Sequence, residues 1–190
     1  MRVIAGSAGG IRLSVPDTDV RPTMDRVKAA IFSSLGDRII DARVLDLFAG
    51  TGALGIEALS RGAASAVFVE ENRAAVRTIE QNLVRTKLRG PVRQQEVFAF
   101  LEAVRPNERY DIILADPPYE KTKNGGEFTR SLLENGRLHD LLEPGGIFVL
   151  EKRPEEKLIT PALWQIIRAK KYGATEVLLL THASFPSPNE

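Results

Sequence analysis

Short apolar runs alternate with stretches of helical periodicity along the chain after residue 43. Mostly apolar runs of strand length lie at residues 44–48, 66–70, 110–115 and 147–151, and a weaker candidate strand lies at residues 91–95. Helices are predicted between them at residues 53–61, 73–87, 97–104 and 128–142, the second with Asn72 as its N-cap. Strands that alternate with helices in this way predict a parallel α/β sheet.

The end of the chain departs from this alternation. Residues 163–172 and 175–181 both have the composition of strands, and Gly173-Ala174 between them is a turn signal. The sequence therefore predicts a final antiparallel hairpin, which is unusual among dinucleotide-binding folds. The tail at residues 184–190 is expected to fray.

The first forty residues lie outside the sheet pattern. Residues 2–5 and 11–15 predict a small hairpin, and Thr23 is a candidate N-cap for a helix that ends near Leu35. We therefore divide the chain into an N-terminal hairpin and helix (1–40), a sheet domain (41–183) and a tail (184–190).

The composition is that of an ordinary globular protein, with 43% hydrophobic and 27% charged residues among 190. No apolar run approaches the ~18 residues of a membrane span, and no signal peptide is expected. The absence of cysteine excludes disulfides and thiolate metal sites, and two histidines leave little material for a zinc site. A net charge of +1 gives no global attraction to nucleic acid. We expect a cytoplasmic protein without a metal.

A glycine-rich turn follows the first predicted strand. Gly50, Gly52 and Gly55 satisfy the pattern G-x-G-x-x-G, and Glu70 ends the next strand. Glycines allow a ligand to approach the backbone, and an acidic side chain at this distance can accept hydrogen bonds from ribose hydroxyls. Alone, this is a weak signal for NAD, and tight packing of strand on helix is the structural alternative.

Asp46 changes the balance between these alternatives. A carboxylate inside a core strand is costly to bury unless it meets a polar partner. The cationic amino acid moiety of S-adenosylmethionine is such a partner, whereas a pyrophosphate would be repelled. The sequence therefore favours a methyl donor over NAD.

A second motif, Asp116-Pro117-Pro118-Tyr119, ends the strand at residues 110–115. Ligands of open α/β sheets bind at the carboxyl ends of the strands. Asp116 and the carbonyl of Pro117 can accept the two N–H bonds of an exocyclic amine, while Tyr119 stacks on the base. The motif therefore predicts a receptor for a planar amino-bearing base.

These motifs resemble those of class I S-adenosylmethionine-dependent methyltransferases, and the whole chain is similar to the RsmD family. The residues that carry the resemblance extend over nearly the full length. They are 10–13, 20–28, 46–52, 57–63, 116–119 and 171–173.

The resemblance implies a Rossmann-like fold: a seven-stranded, mostly parallel sheet with an antiparallel last strand, helices on both faces and the N-terminal hairpin and helix over the cleft. It also implies methylation of the N2 amine of one guanine in 16S ribosomal RNA, within a wholly or partly assembled small subunit. We expect a monomer that uses S-adenosylmethionine and no membrane.

The site residues follow from the motifs and the resemblance together. Those expected to be catalytic are Asp116, Pro117, Pro118 and Tyr119. Those expected to bind the cofactor are Thr23, Asp46, Phe48, Ala49, Gly50, Thr51, Gly52, Glu70, Glu71, Glu96, Val97 and Asp116. Those expected to bind RNA are Arg12, Arg21, Arg26, Lys28, Lys121 and Lys123.

The chain departs from the family pattern at two places: Ser33 replaces a usual Asn, and Glu96-Val97 replaces Asp or Asn followed by Ala. Two other functions remain open. A DNA adenine-N6 methyltransferase would use the same Asp-Pro-Pro-Tyr motif, although 190 residues leave little room for a target-recognition region. An NAD-binding oxidoreductase, or a binding module without catalysis, would need only the glycine turn.

Overall fold

The computed structural model describes residues 1–15, 25–118, 127–156 and 162–183. The strands are β1 (Arg43–Leu47), β2 (Ser65–Glu70), β3 (Val92–Gln94), β4 (Tyr110–Ala115), β5 (Leu142–Lys152), β6 (Trp164–Tyr172) and β7 (Thr175–His182). The helices are α1 (Asp25–Leu35), α2 (Ala53–Ser60), α3 (Arg73–Thr86), α4 (Val97–Ala103), α5 (Glu127–Glu134) and α6 (Gly136–Leu141).

The described strands form one sheet of seven in the order β3-β2-β1-β4-β5-β7-β6. Neighbours from β3 to β5 are parallel, whereas β7 lies antiparallel between β5 and β6. The β6–β7 turn contains Gly173 at φ 63°, a backbone conformation that glycine adopts without strain. The predicted class I methyltransferase sheet and its antiparallel last strand are therefore confirmed.

Helices cover both faces of the sheet, because successive strand residues point to opposite sides. Val44 and Ile112 pack with α1, α2 and α3, while Leu45 and Ile113 pack with α4, α5 and α6. The site described below faces the α1–α2 side at the carboxyl ends of the strands.

The N-terminal hairpin is shorter than predicted, since its one bridge joins Arg2 and Arg12. The reason lies in α2. The carboxylate of Glu57 accepts the N–H groups of Ile4 and Ala5 at 2.7 and 3.1 Å, and Ser60 Oγ accepts that of Ala8 at 2.9 Å. Side chains of α2 thus accept hydrogen bonds from backbone N–H groups that would otherwise be available to a longer hairpin.

The single helix predicted at 128–142 is also wrong, because Asn135 divides it into α5 and α6. Asn135 has extended backbone angles, and its side chain accepts the N–H of Leu138 at 2.9 Å, which starts a new helix. The other helices lie close to their predicted bounds. Asn72 caps α3 as expected, accepting the N–H groups of Ala74 and Ala75.

In the described part of the chain, no helix is long and apolar enough to cross a membrane. The tail expected at 184–190 lies outside the described residues, as do Thr23 and Arg21 of the segment before α1 and Tyr119, Lys121 and Lys123 of the segment after β4.

Candidate functional site

Acidic side chains gather where β1, β2, β4 and β5 end. Asp46 lies near the end of β1, Glu70 ends β2, Asp116 follows β4 and Glu151 lies at the end of β5. Since these strands are parallel neighbours, their carboxyl ends share one edge of the sheet. We call these four residues the acidic edge.

The glycine turn between β1 and α2 is held in an unusual backbone conformation. Phe48, Gly50 and Gly52 all have positive φ angles, of 55°, 55° and 75°. The N–H of Gly50 donates to Glu70 Oε2 at 2.8 Å, and that of Ala49 donates to the carbonyl of Val69 at 3.0 Å. The turn is therefore fixed to the end of β2, and Gly50 and Gly52 have backbone conformations that favour glycine over other residues.

Asp46 is 1% exposed, and its Oδ2 accepts the N–H of Gly55 at 2.8 Å. A Cβ on Gly55 would lie 2.3 Å from the ring of Phe68, so the third glycine of the motif serves close packing of helix on strand. Burial raises the pKa of Asp46 well above its usual range, and the nearby charges of Asp116 and Glu70 raise it further. Among the described residues, therefore, no cation compensates the charge of Asp46, and the N–H of Gly55 is the one hydrogen bond that favours its ionised form.

Glu70 uses both carboxylate oxygens on the backbone. Oε2 accepts from Gly50, as described, and Oε1 accepts the N–H of Asn72 at 2.8 Å. Glu70 is 9% exposed. The predicted ribose acceptor therefore also shapes the glycine turn, and Glu71 beside it is exposed.

Asp116 is half-buried, Pro117 is buried and Pro118 is exposed, at the end of β4. Asp116 follows Ala115, which pairs with Leu150 of β5. This position, between the glycine turn of β1 and the end of β5, is the one expected for a group that contacts a ligand at the strand ends.

Glu151 was missed by the sequence analysis. It is 3% exposed, and among the described residues its Oε1 is the one buried side-chain polar atom without a hydrogen-bond partner. Burial raises the pKa of Glu151 well above its usual range, and the charges of Asp116 and Asp46 add to this. A signal was present, because Glu151 ends an apolar strand, as Asp46 nearly does.

Glu96 caps α4, its two carboxylate oxygens accepting the N–H groups of Phe98 and Ala99 at 3.0 and 2.8 Å. Glu96 therefore uses both carboxylate oxygens on the backbone at the start of α4. Val97 is buried behind it, and the ring of Phe98 lies 6.5 Å from that of Phe48. The second departure, Ser33, is exposed on α1.

Asn82 of α3 is a second residue that the sequence analysis missed. It is fully buried, its Nδ2 donates to the carbonyls of Ser14 and Thr51 at 3.1 and 3.0 Å, and its Oδ1 accepts the N–H of Ser14 at 2.8 Å. One amide side chain thus joins the N-terminal segment to the glycine turn.

The described residues that were expected to bind RNA differ in their exposure to solvent. Arg12 and Arg26 are exposed, but Lys28 is fully buried, with Nζ 3.4 Å from Glu57 Oε2. Burial lowers the pKa of Lys28, and the Glu57 carboxylate opposes this effect. The assignment of Lys28 to RNA is therefore wrong: it is an internal partner of Glu57, the residue that holds the N-terminal segment.

The family model described as Conserved hypothetical protein 95 matches residues 1–181. A curated relative from Escherichia coli strain K12, named ribosomal RNA small subunit methyltransferase D, is 39% identical over 176 residues, which cover 91% of this chain and 85% of the relative. The chain belongs to the RsmD family. The residues of this RsmD-family chain that carried the resemblance include both strand-end motifs and the α2 segment that anchors the N-terminus.

Solved structures agree with this membership. A putative methyltransferase from Escherichia coli has a TM-score of 0.79 and 35% identity, with 96% of this chain and 97% of that chain covered. A 16S rRNA N2 methyltransferase from T. thermophilus, in complex with AdoMet and guanosine, has a TM-score of 0.68 and 26% identity, and the match covers 88% of the RsmD-family chain and 44% of that chain.

Proposed function

We propose that this chain transfers a methyl group from S-adenosylmethionine to the exocyclic N2 amine of a guanine in 16S ribosomal RNA. The observation that carries the proposal is the acidic edge, where the buried carboxyl groups of Asp46 and Glu151 have no cationic partner among the described residues and flank the glycine turn and Asp116-Pro117. Groups with such raised pKa values are typical of ligand sites.

The acidic edge fits S-adenosylmethionine better than NAD, because the methyl donor carries an ammonium and a sulfonium where NAD carries a pyrophosphate. In the described part of the chain, no group of three His, Cys, Asp or Glu side chains could hold a metal ion instead. Asp46 and the turn at 48–52 would hold the amino acid moiety, Glu70 and Glu71 the ribose, and Glu96 and Val97 the adenine. Thr23 would close the pocket. The bound cofactor supplies an electrophilic methyl group.

Asp116 and the carbonyl of Pro117 would hold the target amine. A guanine amine is a weak nucleophile, since its lone pair is delocalised into the ring. Two acceptors placed on its N–H bonds favour a pyramidal nitrogen with the lone pair directed at the methyl group. Such positioning can lower a barrier by about 7–11 kcal/mol. Pro118 would fix the loop and Tyr119 would stack on the base, and the amine proton leaves to water or Asp116 after transfer.

The relatives support RNA as the substrate, since one is named for the small ribosomal subunit RNA and another was solved with guanosine. Arg12, Arg21, Arg26, Lys121 and Lys123 would contact phosphates, and residues 1–40 would dock the substrate and cover the pocket. The target base must leave its stack to reach the strand ends, which costs a few kcal/mol and less for a loop nucleotide. We expect a cytoplasmic monomer that acts on an assembled or partly assembled small subunit.

The test is deletion of the gene followed by mass mapping of methylated nucleosides in 16S ribosomal RNA. We expect one 2-methylguanosine to disappear and to return with the wild-type gene but not with Asp116→Ala. Loss of N6-methyladenine from DNA, with unchanged ribosomal RNA, would instead establish the adenine-N6 alternative. Calorimetry with S-adenosylhomocysteine and NAD decides between methyltransferase and oxidoreductase.

The RNA surface can be tested separately with the charge reversals Arg12→Glu and Arg26→Glu. We expect weaker binding of small subunits and a flatter dependence on salt, with S-adenosylhomocysteine affinity unchanged. Equal loss of both affinities would mean that these arginines act through the fold.

A further inference from the structure

Glu151 points to the same side of the sheet as Asp46 and Asp116. In β5, Ile147 and Val149 pack on the α1–α2 side, so the alternation of a strand places Glu151 there too. Leu150 pairs with Ala115, and the next residues along the two parallel strands are Glu151 and Asp116. Their carboxyl groups therefore extend from neighbouring strands, which lie ~4.8 Å apart.

Among the described residues, none supplies a compensating charge to Glu151. The charged groups that raise its pKa are Asp116 and Asp46, both acidic, and its pairing partner on β7 is Val177. Lys152 follows Glu151, but its Nζ lies 2.8 Å from Glu176 Oε2 and donates to the carbonyls of Arg153 and Glu156. A buried acceptor without a donor costs stability, so its retention calls for a donor that arrives with a ligand.

The order of the strands indicates which ligand that is. Along the edge, Glu70 and Asp46 flank the glycine turn on β2 and β1, Asp116 follows on β4 and Glu151 comes last on β5. Asp116 therefore lies between the glycine turn and Glu151. A base that presents its amine to Asp116 would place the rest of its hydrogen-bonding edge near Glu151.

We propose that Glu151 determines the specificity for guanine by accepting a hydrogen bond from the ring N1–H of the target base, while Asp116 and the Pro117 carbonyl hold its exocyclic amine. This inference rests on the proposed function. Guanine carries its N1–H directly beside the N2 amine, so two donors on one base edge meet two carboxyl groups on adjacent strands.

The same arrangement disfavours adenine. The ring nitrogen beside its amine carries no proton, so a carboxylate there meets a lone pair instead of a donor. A site built to hydrogen-bond an N–H rejects a substrate that lacks it far more strongly than an apolar pocket rejects a small change in shape. Asp116 and the prolines serve either base, whereas Glu151 distinguishes them.

The experiment compares wild type with Glu151→Gln, Glu151→Ala and the control Glu143→Gln, a substitution on the same strand at the opposite end. Single-turnover methyl transfer to small subunits from the deletion strain is followed by nucleoside analysis, and S-adenosylhomocysteine affinity is measured for every variant. Guanosine and 1-methylguanosine, which lacks the N1–H, are compared as inhibitors.

We expect at least a tenfold loss of rate in Glu151→Ala, a smaller loss in Glu151→Gln because Gln keeps one acceptor oxygen, cofactor affinity within twofold of wild type in both, and no change in the control. Wild type is expected to be inhibited more strongly by guanosine than by 1-methylguanosine, and Glu151→Ala to lose this preference. Because Gln has nearly the shape of Glu and removes an uncompensated charge, Glu151→Gln is expected to raise the melting temperature while it lowers activity, which a merely structural residue would not do.

Three results would overturn the inference: full activity in both variants, equal inhibition of wild type by the two nucleosides, or a loss of cofactor affinity that parallels the loss of rate. Failure of the proposed function looks different. In that case the wild-type product is not 2-methylguanosine, whatever the variants do.

Discussion

The same three strands carry charged side chains at both ends, with opposite consequences. At the amino ends of β1, β4 and β5, Arg43 Nε lies 3.0 Å from Asp111 Oδ2, and Arg43 Nη2 lies 2.7 Å from Glu143 Oε1. The hydrogen bond from Arg43 lowers the pKa of Asp111. At the carboxyl ends, Asp46, Asp116 and Glu151 are all acidic, and burial together with mutual repulsion raises the pKa values of Asp46 and Glu151.

This difference between the two ends shows how charged side chains that stabilise a sheet can be distinguished from charged side chains that bind a ligand. In the amino-end cluster the guanidinium of Arg43 pairs with both carboxylates and joins the ends of three strands, so a structural role is enough to explain it. At the acidic edge, by contrast, no cation among the described residues is placed to offset the charges of Asp46 and Glu151, a local conflict of the kind that proteins retain at functional sites.

The largest effect is expected for Asp116, the acidic-edge residue assigned to the amine. Asp116→Ala should lower the single-turnover rate by ~100-fold or more, the usual result of removing one preorganised hydrogen bond from an active site. Asp116→Asn keeps an acceptor oxygen and should retain measurable activity. An Asn variant as inactive as the Ala variant, with both substrates still bound, would make Asp116 a general base.

Glu70 should show the next largest effect, on cofactor affinity. Glu70→Ala leaves the ribose hydroxyls and the N–H of Gly50 without their acceptor, so binding of S-adenosylhomocysteine should weaken by about 1–3 kcal/mol. Glu70→Gln keeps one acceptor oxygen and should lose less. Calorimetry measures both, and unchanged affinity in the Ala variant would remove Glu70 from the cofactor site.

The pH dependence of stability compares the two ends directly. A carboxyl group with a raised pKa binds more protons in the folded than in the unfolded state, so it makes the folded protein less stable as the pH rises from the ordinary carboxyl range to the raised pKa. Chemical unfolding of the ligand-free protein between pH 5 and 8 should therefore show less destabilisation with rising pH in Glu151→Gln than in wild type.

At the other end, Asp111→Asn should have the opposite effect. The lowered pKa of Asp111 contributes stability above the ordinary carboxyl range that is lost as the pH falls through the lowered value. The variant should be less stable than wild type at pH 7, with the difference shrinking in acid. If Glu151→Gln and Asp111→Asn changed the pH dependence of the free energy of unfolding in the same way, the contrast between the two ends of the strands would be wrong.

The smallest effect is expected for Arg43→Ala, which removes the cation of the exposed amino-end cluster. Exposed ion pairs contribute about 0–1 kcal/mol, so the free energy of unfolding should fall by no more than about 1 kcal/mol. Methyl transfer should remain at the wild-type level. A marked loss of activity would show that the amino ends of the strands are coupled to the site.

The central strands of the sheet were predictable because each is a mostly apolar run of its own, and the glycine turn and Asp116-Pro117 could be found because each is contiguous in sequence. The rest depends on contacts between distant residues. Lys28 resembles any surface lysine until Glu57 of α2 is placed against it, and Asn82 looks like one polar residue of α3 until it meets Ser14 and Thr51. Glu151 differs from Lys28 and Asn82, because the sequence already places it at the end of a strand. Only its burial required the structure.

The attachment of the N-terminal segment to α2 and α3 has a consequence for synthesis on the ribosome. Ile4 and Ser14 find their partners 53 and 68 residues later in the chain. At a translation rate of ~5–20 residues per second, Ser14 waits roughly 3–14 s for Asn82 to be made. The N-terminal segment therefore cannot make these contacts until α2 and α3 have been synthesised, and until then the glycine turn lacks the amide that joins it to this segment.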